Sequence, residues 1–226
     1  MKKLVTGIVE FRKTARPDYA QKFAQLALGQ SPDTLFIACS DSRVVPNLFA
    51  STDPGDLFVI RNVGNLIPPC THAQTEPEGF AEGAAIDFAV MNLKISDIIV
   101  CGHSDCGAMH ALIEGRENVR LPHLKEWLKN GDASLLKLKS VAKLGTTPQP
   151  IAVSDENRLS QINVLQQIDH LMTYESVRAR VQGKTLRLHA WWFELGGANV
   201  HAYNSEVGAF VLIDDTEAAR ILASLS

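Results

Sequence analysis

Residues 78–101 read EGFAEGAAIDFAVMNLKISDIIVC, and the change of pattern inside this stretch decides the fold. Apolar residues recur at helical spacing over 78–93. Over 97–101 the spacing gives way to Ile98, Ile99 and Val100, an unbroken apolar run of the kind a strand buried on both faces carries. Upstream, 34–38 and 57–60 are two more runs of strand length, the first preceded by the punctuation of Gly29, Ser31 and Pro32. The order strand, loop, strand, helix, strand predicts an α/β fold with a mostly parallel central sheet and flanking helices.

Working outward, Leu4, Ile8, Phe11, Phe23, Leu26 and Ala27 recur at roughly helical spacing with a break near Pro17. This predicts two helical pieces forming an N-terminal arm within residues 1–29. Downstream, 105–113 and 123–129 read as helices. Residues 154–181 read as a long, mostly polar helical stretch interrupted near Tyr174. Strands over 185–194 and 199–203 are joined by a tight turn at Gly196-Gly197. Residues 145–150 read as a surface loop. With no repeat, low-complexity tract or linker, 1–226 reads as a single domain.

The balance of 22 lysines and arginines against 25 acidic residues, without a basic stripe, argues against a nucleic-acid partner. A small neutral or anionic substrate fits better. No apolar run approaches the roughly 20 residues that span a bilayer, and residues 1–10 lack the apolar segment of a secretory signal. Four cysteines, Cys39, Cys70, Cys101 and Cys106, are too few for a disulfide framework in 226 residues. The expectation is a soluble cytoplasmic protein with reduced thiols.

Two short motifs follow expected strands, where open α/β sheets carry their ligand sites. The first is Cys39-Ser40-Asp41-Ser42-Arg43 and the second is Cys101-Gly102-His103-Ser104-Asp105-Cys106-Gly107. If their strands are neighbours, Cys39, His103 and Cys106 converge. Two thiolates and an imidazole are a three-ligand zinc set that leaves the fourth tetrahedral position open, as a catalytic site requires. A cysteine at a strand end is also a common core residue, and on spacing alone both readings stand. His72, His110, His123, His170, His189 and His201 show no ligand spacing.

These residues resemble the β-carbonic anhydrases. The likeness rests on Cys39-x-Asp41-x-Arg43 and His103-x-x-Cys106. It extends through Gly29-Gln30-Ser31-Pro32, Gly55-Asp56-Leu57-Phe58-Val59-Ile60-Arg61-Asn62, Gly83-Ala84-Ala85 and Leu188-His189-Ala190-Trp191. It implies one Zn2+ per chain on Cys39, His103 and Cys106, and reversible hydration of carbon dioxide to bicarbonate and a proton by a zinc-bound hydroxide. Asp41 and Arg43 would form the dyad that orients that hydroxide. Gln30, Phe58, Val63, Phe88 and Gly107 would line the substrate pocket. Cys70 and Cys101 match no ligand position, which leaves a loop thiol and a strand core residue.

The resemblance also implies a homodimer or higher homo-oligomer in which the arm packs on a partner subunit and both chains furnish pocket residues. The partners are then carbon dioxide, bicarbonate and water, with no nucleic acid or membrane. The expected location is the cytoplasm, with a bacterial microcompartment as the alternative. In some family members Asp41's counterpart becomes a fourth metal ligand and closes the site. Some bacterial members also hold bicarbonate at a noncatalytic tryptophan, arginine and tyrosine; the matching positions here are Phe36, Arg61 and Phe193, where only the arginine survives. Together with Gln30 this points to the plant-like branch and an open zinc. The rival readings are a hydrolase of carbon disulfide or carbonyl sulfide on the same ligands, and a noncatalytic zinc or thiol-redox protein.

Overall fold

A computed structural model describes residues 1–70, 80–144 and 154–225. The expected loop at 145–150 and the first two residues of the expected helix at 78–93 lie outside the described residues. Among the described residues six strands form one sheet: β1 (Thr34–Cys39), β2 (Leu57–Asn62), β3 (Asp97–His103), β4 (Arg187–Glu194), β5 (Asn199–Asn204) and β6 (Ala209–Leu212). Their order is β2-β1-β3-β4-β5-β6. The first four run parallel, and β5 and β6 are added antiparallel. The α/β class and the mostly parallel sheet are therefore as the alternation of patterns predicts.

Strand side chains alternate between two buried faces. Leu35, Ile37, Ile98 and Val100 pack to one side with Val164, Leu171 and Val177. Phe36, Ala38, Ile99 and Cys101 pack to the other with Phe193. Burial on both faces is why these strands read as continuous apolar runs. It also makes Cys101 a core residue, with its thiol pKa pushed up by burial.

Helix α8 (Asp155–Leu171) accounts for the long polar stretch, and α9 (Glu175–Gln182) follows the interruption at Tyr174. Although polar, α8 buries Ser160, Asn163, Gln167 and His170. Its side chains satisfy the backbone of the segment after β2: Gln167 Oε1 accepts from the Ile67 amide at 2.7 Å, and Asn163 Nδ2 donates to the Gly64 carbonyl at 3.2 Å. Buried polar groups persist because each finds a partner. The helix crosses β3 at Gly102, where a Cβ would sit 2.6 Å from Val164 Cγ2, so close packing there excludes a side chain.

Several boundaries differ from the sequence-based expectation. The helical pattern at 78–93 is α4 (Phe80–Asp87) continued by a π-helical segment, Phe88–Leu93, closed by Lys94 at φ 57°. Wider winding leaves carbonyls without their usual partner, and Arg180 Nη1 donates to that of Val90 at 2.8 Å. The expected helix at 105–113 is α5 (Gly107–Glu114), and that at 123–129 is α6 (Pro122–Trp127) with a 3-10 turn after it. Residues Pro46–Phe49, Asp132–Leu144 and Asp215–Leu225 form further helices, and β6 a further strand, that the patterns do not announce. The N-terminal arm is two helices, α1 (Lys2–Lys13) and α2 (Arg16–Leu26), neither of which buries a residue. Among the described residues no helix is long and apolar enough to cross a membrane.

Candidate metal centre

After β1 the chain leaves for β2 on one side, and it returns to β3 on the other. The C-terminal ends of β1 and β3 thus flank a topological switch point, where the connections diverge and open a crevice. Cys39 ends β1, His103 ends β3, and Cys106 caps the N-terminus of α5. Their ligand atoms lie within 4.8 Å of one another, and all three residues are buried.

The imidazole is fixed in one sense. His103 Nδ1 lies 2.8 Å from the Ser104 carbonyl, which only accepts, so Nδ1 carries the proton and Nε2 a lone pair. Nε2 is buried and has no hydrogen-bond partner. An unsatisfied buried polar atom costs about 1–3 kcal/mol, and a cation between Nε2 and the two sulfurs removes that cost. The Cys39 Sγ accepts from the Gly64 amide at 3.3 Å. Its neighbour Cys106, then His103 and the Gly64 and Asp41 amides, lower the Cys39 pKa to about 4 against the opposing effect of burial. The nearby Cys39 sulfur and burial push Cys106 the other way. Two adjacent thiolates repel, so the second proton leaves readily only when a cation replaces it. The donor set of two sulfurs and one imidazole nitrogen fits zinc.

Asp41 is not one of the clustered residues, and its carboxylate is forked by its arginine. Arg43 Nε donates to Oδ1 at 2.9 Å, Nη2 to Oδ2 at 2.8 Å, and the Arg43 amide to Oδ1 at 2.9 Å. Arg43's side chain, opposed by burial and helped by its own amide and by His103, holds the Asp41 carboxyl well below the usual carboxylate range. Nη2 also reaches the Asp105 carbonyl at 3.1 Å, tying the two motifs together.

Of the expected pocket residues, Val63 and Gly107 neighbour the cluster in sequence, Val63 beside the Gly64 donor and Gly107 beside Cys106. Phe58 stands apart. Strand register pairs it with Leu35 while Cys39 pairs with Asn62, a separation of four residues, or about 13 Å along the strand. Phe88 stays with Phe58, ring centroids 5.8 Å apart. Gln30 is exposed and makes no hydrogen bond among the described residues. Cys70 is exposed and is not part of the three-residue cluster.

Sequence reading missed several supports of the cluster. Ser160 Oγ donates to the His103 carbonyl at 2.8 Å, and Asn157 Oδ1 accepts from the Asp105 amide at 2.8 Å, where the backbone is left-handed at φ 53°. Gly64, at φ 82°, fits because a Cβ there would meet Ala108 Cβ at 2.8 Å. Polar residues at regular spacing along α8 were the available signal.

The carbonic anhydrase family model matches residues 34–200. A carbonic anhydrase of Synechocystis is 39% identical over 214 residues, covering 93% of this chain and 74% of that protein. The structure of the β-carbonic anhydrase CcaA superposes with a TM-score of 0.83 at 36% identity, over 94% of this chain and 98% of that one. This chain belongs to the β-class carbonic anhydrase family. As a β-carbonic anhydrase it falls among the zinc lyases. One of two β-carbonic anhydrases of Sordaria macrospora, described as tetrameric, superposes with a TM-score of 0.74 at 26% identity, over 93% of this chain and all of that one.

Proposed function

We propose that this β-carbonic anhydrase hydrates carbon dioxide reversibly at one zinc ion held by Cys39, His103 and Cys106. The observation that carries the reading is the buried, unpartnered Nε2 of His103 facing two cysteine sulfurs. A Cys39–Cys106 disulfide, the thiol-redox alternative, would leave that nitrogen unsatisfied. Zinc, when bound, supplies the Lewis acidity that brings water ionisation toward neutral pH.

The chain's own groups do the rest. Cys39 and Cys106 contribute two negative charges, which moderate that acidity relative to neutral imidazole ligands, so activity rises into the alkaline range. Asp41, ionised and forked by Arg43, accepts a hydrogen bond from the attacking water and aims its lone pair at the substrate carbon. The same fork keeps Asp41 from joining the ligands, because the carboxylate would exchange an arginine for a centre already neutralised by two thiolates. Val63 and the Gly107 amide border the position of the reacting oxygen.

Gln30, Phe58 and Phe88 complete the pocket from a second copy of the chain. The register separating Phe58 from Cys39 supports this reading, as do the exposed Leu4 and Ile8 of α1 at 65% and 61%. A homo-oligomer, with the arm of residues 1–29 on its partner, is in keeping with the tetrameric Sordaria relatives. The four free thiols are consistent with a reducing cytoplasm. Titrating zinc into metal-free protein while following carbon dioxide hydration by stopped flow tests the function. Activity should rise linearly to one equivalent per chain; full activity without metal would refute the proposal.

A further inference from the structure

The backbone at Cys39 to Asp41 is gripped from β2 by one side chain. Arg61 stands opposite Ala38 in the parallel register. It donates from Nε and Nη2 to the Cys39 carbonyl at 3.1 and 2.8 Å, and from Nη2 to the Asp41 carbonyl at 2.6 Å. Between these carbonyls the Ser40 amide donates to the Asn62 carbonyl at 2.8 Å. The three consecutive residues that carry a ligand sulfur and the dyad carboxylate are thus held by β2 at every step. Beyond the end of β1 no ladder would otherwise satisfy these carbonyls, and a charged, planar donor bridging two of them fixes the turn more firmly than water could.

We infer that Arg61 is a positioning residue for the metal centre, setting where the Cys39 thiolate and the Asp41 carboxylate leave the backbone. The inference rests on the proposed zinc site. Its geometry also answers the other use an arginine here could have, as an anion receptor: Nε and Nη2 are committed to backbone carbonyls. Phe36 and Phe193, the positions that would help hold an anion, are buried in an aromatic cluster with Phe49 and Trp191.

The test compares zinc affinity, by chelator competition, in unmodified protein, Arg61→Met and Arg61→Lys. Loss of an orienting partner of a ligand costs about 10–100-fold in metal affinity or activity. Arg61→Met should show that loss in affinity and in kcat/KM, while Arg61→Lys, with one point donor, recovers part of it. Val177→Ala, a core truncation on α9, should lower Tm without weakening zinc, which separates positioning from general destabilisation. Bicarbonate inhibition should be hyperbolic in every variant. Zinc held equally well by Arg61→Met and the unmodified protein overturns the role of Arg61 alone. Sigmoidal bicarbonate inhibition that disappears in Arg61→Met overturns it in favour of an anion receptor. An unmodified protein that binds no zinc overturns both this inference and the proposed function.

Discussion

At the scale of single residues, the roles divide by what each side chain can reach. Replacing Cys106 by alanine leaves a two-ligand remnant, and we expect zinc content and hydration activity to disappear together. Cys70→Ala should retain both, because its thiol is exposed and outside the cluster. Metal analysis alongside stopped-flow assays checks the pair. Asp41→Ala should keep zinc and lose about 10²-fold in kcat, the scale of a positioned proton partner. Arg43→Ala should also keep zinc while activity collapses, since Asp41 freed of its fork can join the metal. Both motifs were legible in the sequence because their chemistry is local: three residues span Asp41 to Arg43 and four span His103 to Cys106. The Gly64 amide on the Cys39 sulfur and the Arg61 bonds to two carbonyls were not legible, because they join residues about 20 or more apart and use backbone atoms that every residue possesses.

Among the elements, the strands most fully buried were the easiest to read. Residues 34–38 and 97–101 extend in the structure only to Cys39 and His103, two of the proposed ligands. The π winding at Phe88–Leu93 was hidden because the sequence there still repeats like a helix, and distant Arg180 satisfies one of its carbonyls. The four-residue strand β6 is defined by pairing with β5, not by its own pattern. At the opposite end of the sheet from the metal ligands, Asp97 of β3 accepts from both Arg187 Nε and His189 Nε2 at 2.7 Å and from Ser96 Oγ at 2.6 Å. Burial works to raise the Asp97 pKa, but Arg187, Ser96 and His189 overcome it and hold the carboxyl below its usual range. A folded pKa below the unfolded one gives stability that is present above about pH 4 and lost as pH falls toward the folded value. Asp97→Asn should therefore be less stable at pH 7 by about 1–3 kcal/mol, and denaturant titrations should show the gap closing below about pH 4. A gap independent of pH would assign the loss to packing instead.

For the whole molecule, one chain holds the three proposed metal ligands toward one end of the parallel strands while Phe58 stands beside Leu35 at the other. On the proposed reading a complete pocket needs two copies, which intersubunit complementation can reveal. Gln30→Ala and Cys106→Ala proteins should each be nearly inactive alone. Co-expressed, they should regain part of the unmodified activity, since a mixed pair has one site with intact ligands and an intact Gln30. Absence of recovery in a verified heterodimer would return Gln30 to its own chain's site. The central claim is a zinc ion on three protein ligands with Asp41 held by Arg43 and off the metal, and a crystal structure of the zinc-loaded protein grown above about pH 8, where a water ionised by the metal is largely deprotonated, tests it most directly. The account predicts zinc on Cys39 Sγ, His103 Nε2 and Cys106 Sγ, with Asp41 still forked by Arg43. An Asp41 oxygen bonded to zinc, or zinc bound elsewhere, would contradict it.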